Sequence, residues 1–77
     1  MANIDELVRD KLSKDGQVLN LKAQFLREVG VKELVKNEGL KNVRAMDLWQ
    51  NHIGDDGVKA IAESDVLGNL RNLNLAS

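Results

Sequence analysis

The sequence predicts an α/β fold of stacked strand–helix coils, a solenoid, and three observations carry that prediction. Leu21, Leu48 and Leu75 stand 27 residues apart, and a fixed period in the twenties marks coils stacked on their neighbours. Sliding the chain over itself by that offset lays Glu6-Leu7-Val8 on Glu33-Leu34-Val35 and Gly30-Val31-Lys32 on Gly57-Val58-Lys59. Leu19, Met46 and Leu73 form a second apolar column, two residues ahead of the first. Within each period the apolar spacing changes from two to about 3.6, a strand followed by a helix.

The elements follow in order. Residues 1–12 read as the helical half of an earlier coil, with Ile4, Leu7, Val8 and Leu12 on one stripe and Asp5, Glu6, Arg9, Asp10 and Lys11 on the others. Such a helix is suited to cap one end of a solenoid, because its outer face is polar. Asn3 is its expected N-cap, with Glu6 three residues later in an approximate capping box. Residues 16–42 form a first, degenerate coil, with Leu19 and Leu21 as strand, Gly30 as turn and Val31, Leu34 and Val35 as helix face. Residues 43–69 form a second and complete coil. Met46 and Leu48 alternate with Ala45, Asp47 and Trp49 as a half-buried strand. Gly54-Asp55-Asp56-Gly57 is its turn and helix start, with Asp55 or Asp56 expected to cap. Val58, Ile61 and Ala62 are expected to face the strand layer. Residues 70–77 open a third, truncated coil.

Composition narrows the class. A chain of 77 residues makes one domain, near the lower limit for a self-sufficient core. Hydrophobic content of 43% with 30% charged residues belongs to a folded, soluble protein. There is no cysteine, hence no disulfide framework or thiolate metal site, which favours a reducing compartment. No secretory leader or membrane-length apolar run is visible, so a cytoplasmic location is expected. A net charge of −1 removes the usual electrostatic reason to expect nucleic acid or a membrane surface as partner.

At Val43-x-x-Met46-x-Leu48-x-x-Asn51-x-Ile53, followed by Gly54-Asp55-x-Gly57-Val58-x-x-Ile61-Ala62, the chain resembles a leucine-rich repeat. Its period and the Asn-x-Ile-Gly-Asp-x-Gly segment are similar to the ribonuclease-inhibitor-like subclass. The resemblance implies a right-handed solenoid, with about three parallel strands lining a concave side, helices on the convex side, and a role in binding other proteins. It also implies that Asn51 hydrogen-bonds backbone groups of an adjacent coil. Gly16 and Gln24 stand where the family pattern has leucine and asparagine, which is why the first coil is degenerate.

The strand positions that alternate with the buried ones should form rows across the sheet: Val18, Ala45, Asn72; then Asn20, Asp47, Asn74; then Lys22, Trp49, Ala76, with Ala23, Gln50 and Ser77 at the rim. A protein- or peptide-binding patch is expected at Trp49, Asp47, Asn20, Lys22, Gln50 and Asn74. Trp49 is its centre, since exposed tryptophan is enriched among interface hot spots. The competing reading lays Trp49 flat over its neighbours as cover for a thin core. Lys22 and Asp47 read either as partner-facing charges or as a cross-strand pair. One histidine, His52, beside Asp55 and Asp56 is a poor transition-metal set. Phe25 falls on His52 in the repeat and reads either as outward or as folded under the N-terminal coil. No nucleophile grouping, Walker loop or dinucleotide fingerprint is present, so neither an enzyme nor a cofactor is expected.

The last strand raises a separate expectation. An uncovered Leu73–Leu75 edge exposes unpaired backbone groups and the side of an apolar core. Further coils could cover it, two copies could pair there antiparallel across a two-fold axis, or elements could exchange between copies. A homodimer or a place in a longer array is therefore expected over a lone monomer. Two function classes follow: an interaction module using the concave face, or an assembly element that self-associates through Leu73 and Leu75 with no separate ligand.

Overall fold

A computed structural model of the chain describes residues 3–76. In chain order the elements are α1 (Ile4–Lys11), β1 (Val18–Asn20), α2 (Arg27–Leu34), a 3-10 turn (Glu38–Leu40), β2 (Ala45–Asp47), α3 (Gly54–Ala62) and β3 (Asn72–Asn74). The strands form one open parallel sheet in the order β1-β2-β3. The register is that of the repeat: Val18 beside Ala45 and Ala45 beside Asn72, then Asn20, Asp47 and Asn74 in line.

Parallel strands require crossovers, and the helices that supply them pack on one face of the sheet. That face holds the core, with Leu19, Leu21, Val31, Leu34, Leu40 and Val43 fully buried and Leu48 nearly so. α1 contributes Ile4, Leu7 and Val8, and Leu12 is half-buried. Asn3 caps α1 through its side-chain oxygen, which accepts from the N–H groups of Asp5 at 2.9 Å and Glu6 at 3.3 Å. On α2, Lys32 Nζ lies 2.9 Å from Glu28 Oε1, and that hydrogen bond raises the lysine pKa.

The helix starts differ from the sequence expectation. Gly30 is not a turn but lies inside α2. Neither Asp55 nor Asp56 caps α3; both sit in its first turn behind Ile53, where they complement the positive helix end. The structural turn is made by alternating left-handed residues: Ala23, Phe25 and Arg27 before and at the start of α2, and Gln50, His52 and Gly54 one period later. Each member of the first set lies 27 residues before its counterpart, so the repeat is one of backbone conformation as well as side chains.

The inward stripe of α3 also differs. Val58 and Ala62 are exposed, while Gly57 and Ile61 are buried and Ala60 half-buried. α2 is flanked by α1 and α3, whereas α3 has a helix on one side only. Val31, one period before Val58, is thus enclosed where Val58 meets water. Gly57 serves close packing: a Cβ there would lie 3.0 Å from Ile53 Cβ and 3.9 Å from the Glu28 Cα on the neighbouring helix.

Candidate functional site

The sheet face away from the helices carries the rows read from the repeat. Val18 is exposed and Ala45 half-buried in the first, beside exposed Asn72. With Asn20, Asp47 and Asn74 they line a shallow depression of about 400 Å³. The second row has a local role that the sequence reading missed. Asn20, Asp47 and Asn74 each accept the N–H two residues on, from Lys22 at 3.1 Å, Trp49 at 2.9 Å and Ala76 at 3.2 Å. These are Asx turns, in which a short side chain imitates a backbone acceptor and bends the chain out of the strand. The available signal was the recurrence of Asn or Asp at one strand-end position in all three periods.

The third row lies just past the strands and remains stitched by backbone bonds. Ala23 N–H donates to Trp49 O and Gln50 N–H to Ala76 O, both at 2.8 Å. Trp49 is half-buried, and Lys22 Nζ stands 4.6 Å from the centroid of its ring. The lysine therefore pairs with the aromatic face rather than with Asp47. Two ion pairs form among the described residues, Glu28–Lys32 and Glu38–Lys41, and neither involves Lys22 or Asp47. At the rim, Gln50 is exposed in its left-handed conformation; Ser77 lies outside the described residues.

Asn51 anchors this face from beneath. It is 1% exposed. Its Oδ1 accepts from Gln24 N–H at 2.9 Å and Leu26 N–H at 3.2 Å, and its Nδ2 donates to Leu21 O at 2.7 Å. One side chain thus ties the bend after β2 to the bend after β1 and satisfies three backbone groups, two of them buried and one half-buried. Gln24, one period earlier, instead reaches its own loop, with Nε2 donating to Lys22 O at 3.3 Å.

His52 is exposed, with a φ of 51°. Among the described residues no group of three or more His, Cys, Asp or Glu side chains is placed to hold a metal ion. Phe25 points outward, 74% exposed. At the far edge Leu73 is 36% exposed, against 0% for Leu19 and 3% for Met46 in the same column, and Leu75 is half-buried. Among the described residues no helix is long and apolar enough to cross a membrane.

Among the described residues the architecture is that of a small α/β protein, with three parallel strands in one open sheet and three α-helices on its core side. The chain matches no protein-family model, no curated protein and no solved structure.

Proposed function

We propose that the chain is a short, right-handed leucine-rich-repeat solenoid of the ribonuclease-inhibitor-like kind, and that its open, concave sheet face binds an extended protein or peptide segment. The 27-residue recurrence of strand register, Asx turns and left-handed bends supports the repeat reading. One observation carries the binding reading: the Lys22–Trp49 pair borders the row Asn20, Asp47, Asn74. Each residue of that row spends one oxygen on its own turn. Among the described residues, the amide nitrogens of Asn20 and Asn74 and the second oxygen of Asp47 then remain for a partner. Donor, acceptor and donor follow one another at strand spacing, about 4.8 Å. That pattern suits the amides and carbonyls of an extended chain. Trp49 supplies apolar contact area beside them, with Gln50 at the rim.

The test is a screen of dye-labelled extended peptides, read by fluorescence anisotropy, against the wild-type chain and the Trp49→Ala variant. Peptides that bind should lose about tenfold or more in affinity with Trp49→Ala, an effect on the scale of interface hot spots. Unchanged affinity in a variant that keeps its circular dichroism would place the site elsewhere.

A second reading has its own support in the 36% exposure of Leu73. In it the chain is an assembly element that self-associates through Leu73 and Leu75.

A further inference from the structure

We infer that the segment bound by the concave face is acidic, an extended peptide with glutamates at alternate positions. Its carboxylates pair with Arg44 and Arg71, and the side chains between them turn towards Trp49. The inference rests on the peptide-binding reading and names the chemistry of its partner.

The repeat places the two arginines in line. Ala45 pairs with Val18 and Asn72 with Ala45, so Gln17, Arg44 and Arg71 continue that line one position earlier. Backbone bonds hold it. Gln17 O accepts from Arg44 N–H at 2.8 Å and from Ala45 N–H at 3.1 Å; Arg44 O accepts from Arg71 N–H at 2.8 Å and from Asn72 N–H at 3.0 Å. Two successive amides on one carbonyl make a β-bulge, which interrupts the alternation of faces and re-aims a side chain. Arg44 thus follows fully buried Val43 as an exposed residue, and Arg71 follows half-buried Leu70 in the same way.

Like charges side by side in a sheet are destabilising. Among the described residues the two ion pairs are Glu28–Lys32 and Glu38–Lys41, and neither arginine joins them. Arg44 lies inside the array, flanked in line by Gln17 and Arg71, so neither side brings it a carboxylate. Of the acids nearest to it along the chain, Asp47 accepts from Trp49 N–H and Glu38 pairs with Lys41. The fold gains nothing from setting these two charges together, whereas an anionic ligand would.

The pair borders the depression on the sheet face, because Ala45 and Asn72, the residues that follow them, line it. An extended chain lying along the row Asn20, Asp47, Asn74 sends successive side chains to its two sides. One side meets Lys22 and Trp49. The other passes over Val18 and Ala45 towards the arginines, three strand residues or about 10 Å from Asp47. A glutamate meeting an arginine spans that gap, and the short Ala45 leaves the path open. The guanidinium presents a planar fork of donors that matches a carboxylate, and a carboxylate shared between two of them relieves their repulsion. The net charge of −1 and the Asp47 carboxylate on the same face disfavour a polyanion such as nucleic acid.

Three short dye-labelled peptides test this by fluorescence anisotropy: alternating Glu and Val, alternating Gln and Val, and alternating Lys and Val. The Glu–Val peptide should bind the wild-type chain about threefold to tenfold more tightly than the Gln–Val peptide, the scale of two exposed ion pairs. That advantage should shrink as salt is raised and vanish in an Arg44→Gln/Arg71→Gln variant that keeps its circular dichroism. Equal binding of the Glu–Val and Gln–Val peptides, both weakened by Trp49→Ala, overturns the inference and leaves the peptide site standing. So does a glutamate preference that survives in the double variant, or tighter binding of the Lys–Val peptide. If none of the three binds, the inference falls together with the peptide reading beneath it. A single-stranded oligothymidylate that binds through the arginines where the Glu–Val peptide does not assigns the pair to nucleic acid and also overturns it. Stability gives an independent check. Arg44→Gln removes a like-charge contact and should keep or raise the urea midpoint; a lower midpoint gives the pair a structural role and removes the argument for a ligand.

Discussion

Arg27 holds, at a φ of 57°, the left-handed position that Gly54 holds at 67° one repeat later. An L-residue there crowds its Cβ against the backbone at a cost of about 1 kcal/mol or more, which glycine avoids. Arg27 is exposed, and its N–H bond to Asn51 O at 2.9 Å needs no side chain. Arg27→Gly should therefore stabilise the fold by up to about 1 kcal/mol, the relief of strain exceeding the extra chain entropy of glycine. At Gly54 a Cβ would meet nothing within 4 Å, so Gly54→Ala isolates the backbone cost and should destabilise by about 1 kcal/mol. Urea midpoints check both; a loss of stability in Arg27→Gly would show that its side chain contributes more than its conformation costs.

Asn51 and Gln24 occupy equivalent places one period apart but carry different weight. Asn51→Ala leaves two amides and one carbonyl without their partner inside the protein. At about 1–3 kcal/mol for each buried unsatisfied group, the variant should lose roughly 3 kcal/mol or more and approach the unfolding threshold of a small domain. Gln24→Ala should cost well under about 1 kcal/mol, since its one side-chain bond is long and exposed. Equal losses in the two variants would contradict this asymmetry.

Much of the sheet was legible in the sequence, and the reason is mechanical. A side-chain period of two combined with a 27-residue repeat leaves one register, so the rows through Val18 and Asn20 follow directly. The helix starts were not legible. Five of the six residues in the two left-handed triplets are not glycine, and no local preference announces a left-handed Phe25; the bonds from Asn51 and the backbone between successive repeats hold the bend instead. Val58 was misread because burial on a helix depends on its neighbours. The same repeat position is enclosed in α2 and open in α3. Asn20, Asp47 and Asn74 looked like residues free for a partner, but part of each is spent on its own Asx turn.

Acid should loosen the connection between α1 and β1. Asp15 Oδ1 accepts from Ser13 Oγ at 2.7 Å and from Gln17 N–H at 3.0 Å. These bonds, the serine hydroxyl first, hold its pKa below the ordinary carboxylate value. A carboxylate depressed in the folded state contributes stability above its unfolded pKa and loses it as pH falls through the folded value. The wild-type chain should accordingly exceed Asp15→Ala in stability near neutral pH, and the gap should close below the usual aspartate range. A gap independent of pH would mean that the loop is held by shape rather than charge.

The Lys22–Trp49 pair can be separated from the turn that positions it. Lys22→Met keeps an apolar stem over the ring and removes the charge, so it should cost only the exposed cation–π contribution, about 0.5–1 kcal/mol. Asp47→Ala removes the acceptor for Trp49 N–H and should cost about 1 kcal/mol while releasing the indole from its place in the row. Asp47→Asn retains an acceptor and should hold the turn with little loss. The two kinds of change should also diverge in tryptophan emission: Lys22→Met alters the charge beside a fixed ring, whereas Asp47→Ala alters its exposure to quencher. If Asp47→Asn disturbs Trp49 quenching as much as Asp47→Ala does, the carboxylate charge rather than the Asx turn places the ring. The aromatic side chain of the proposed patch would then be set by electrostatics, and its position would depend on ionic strength.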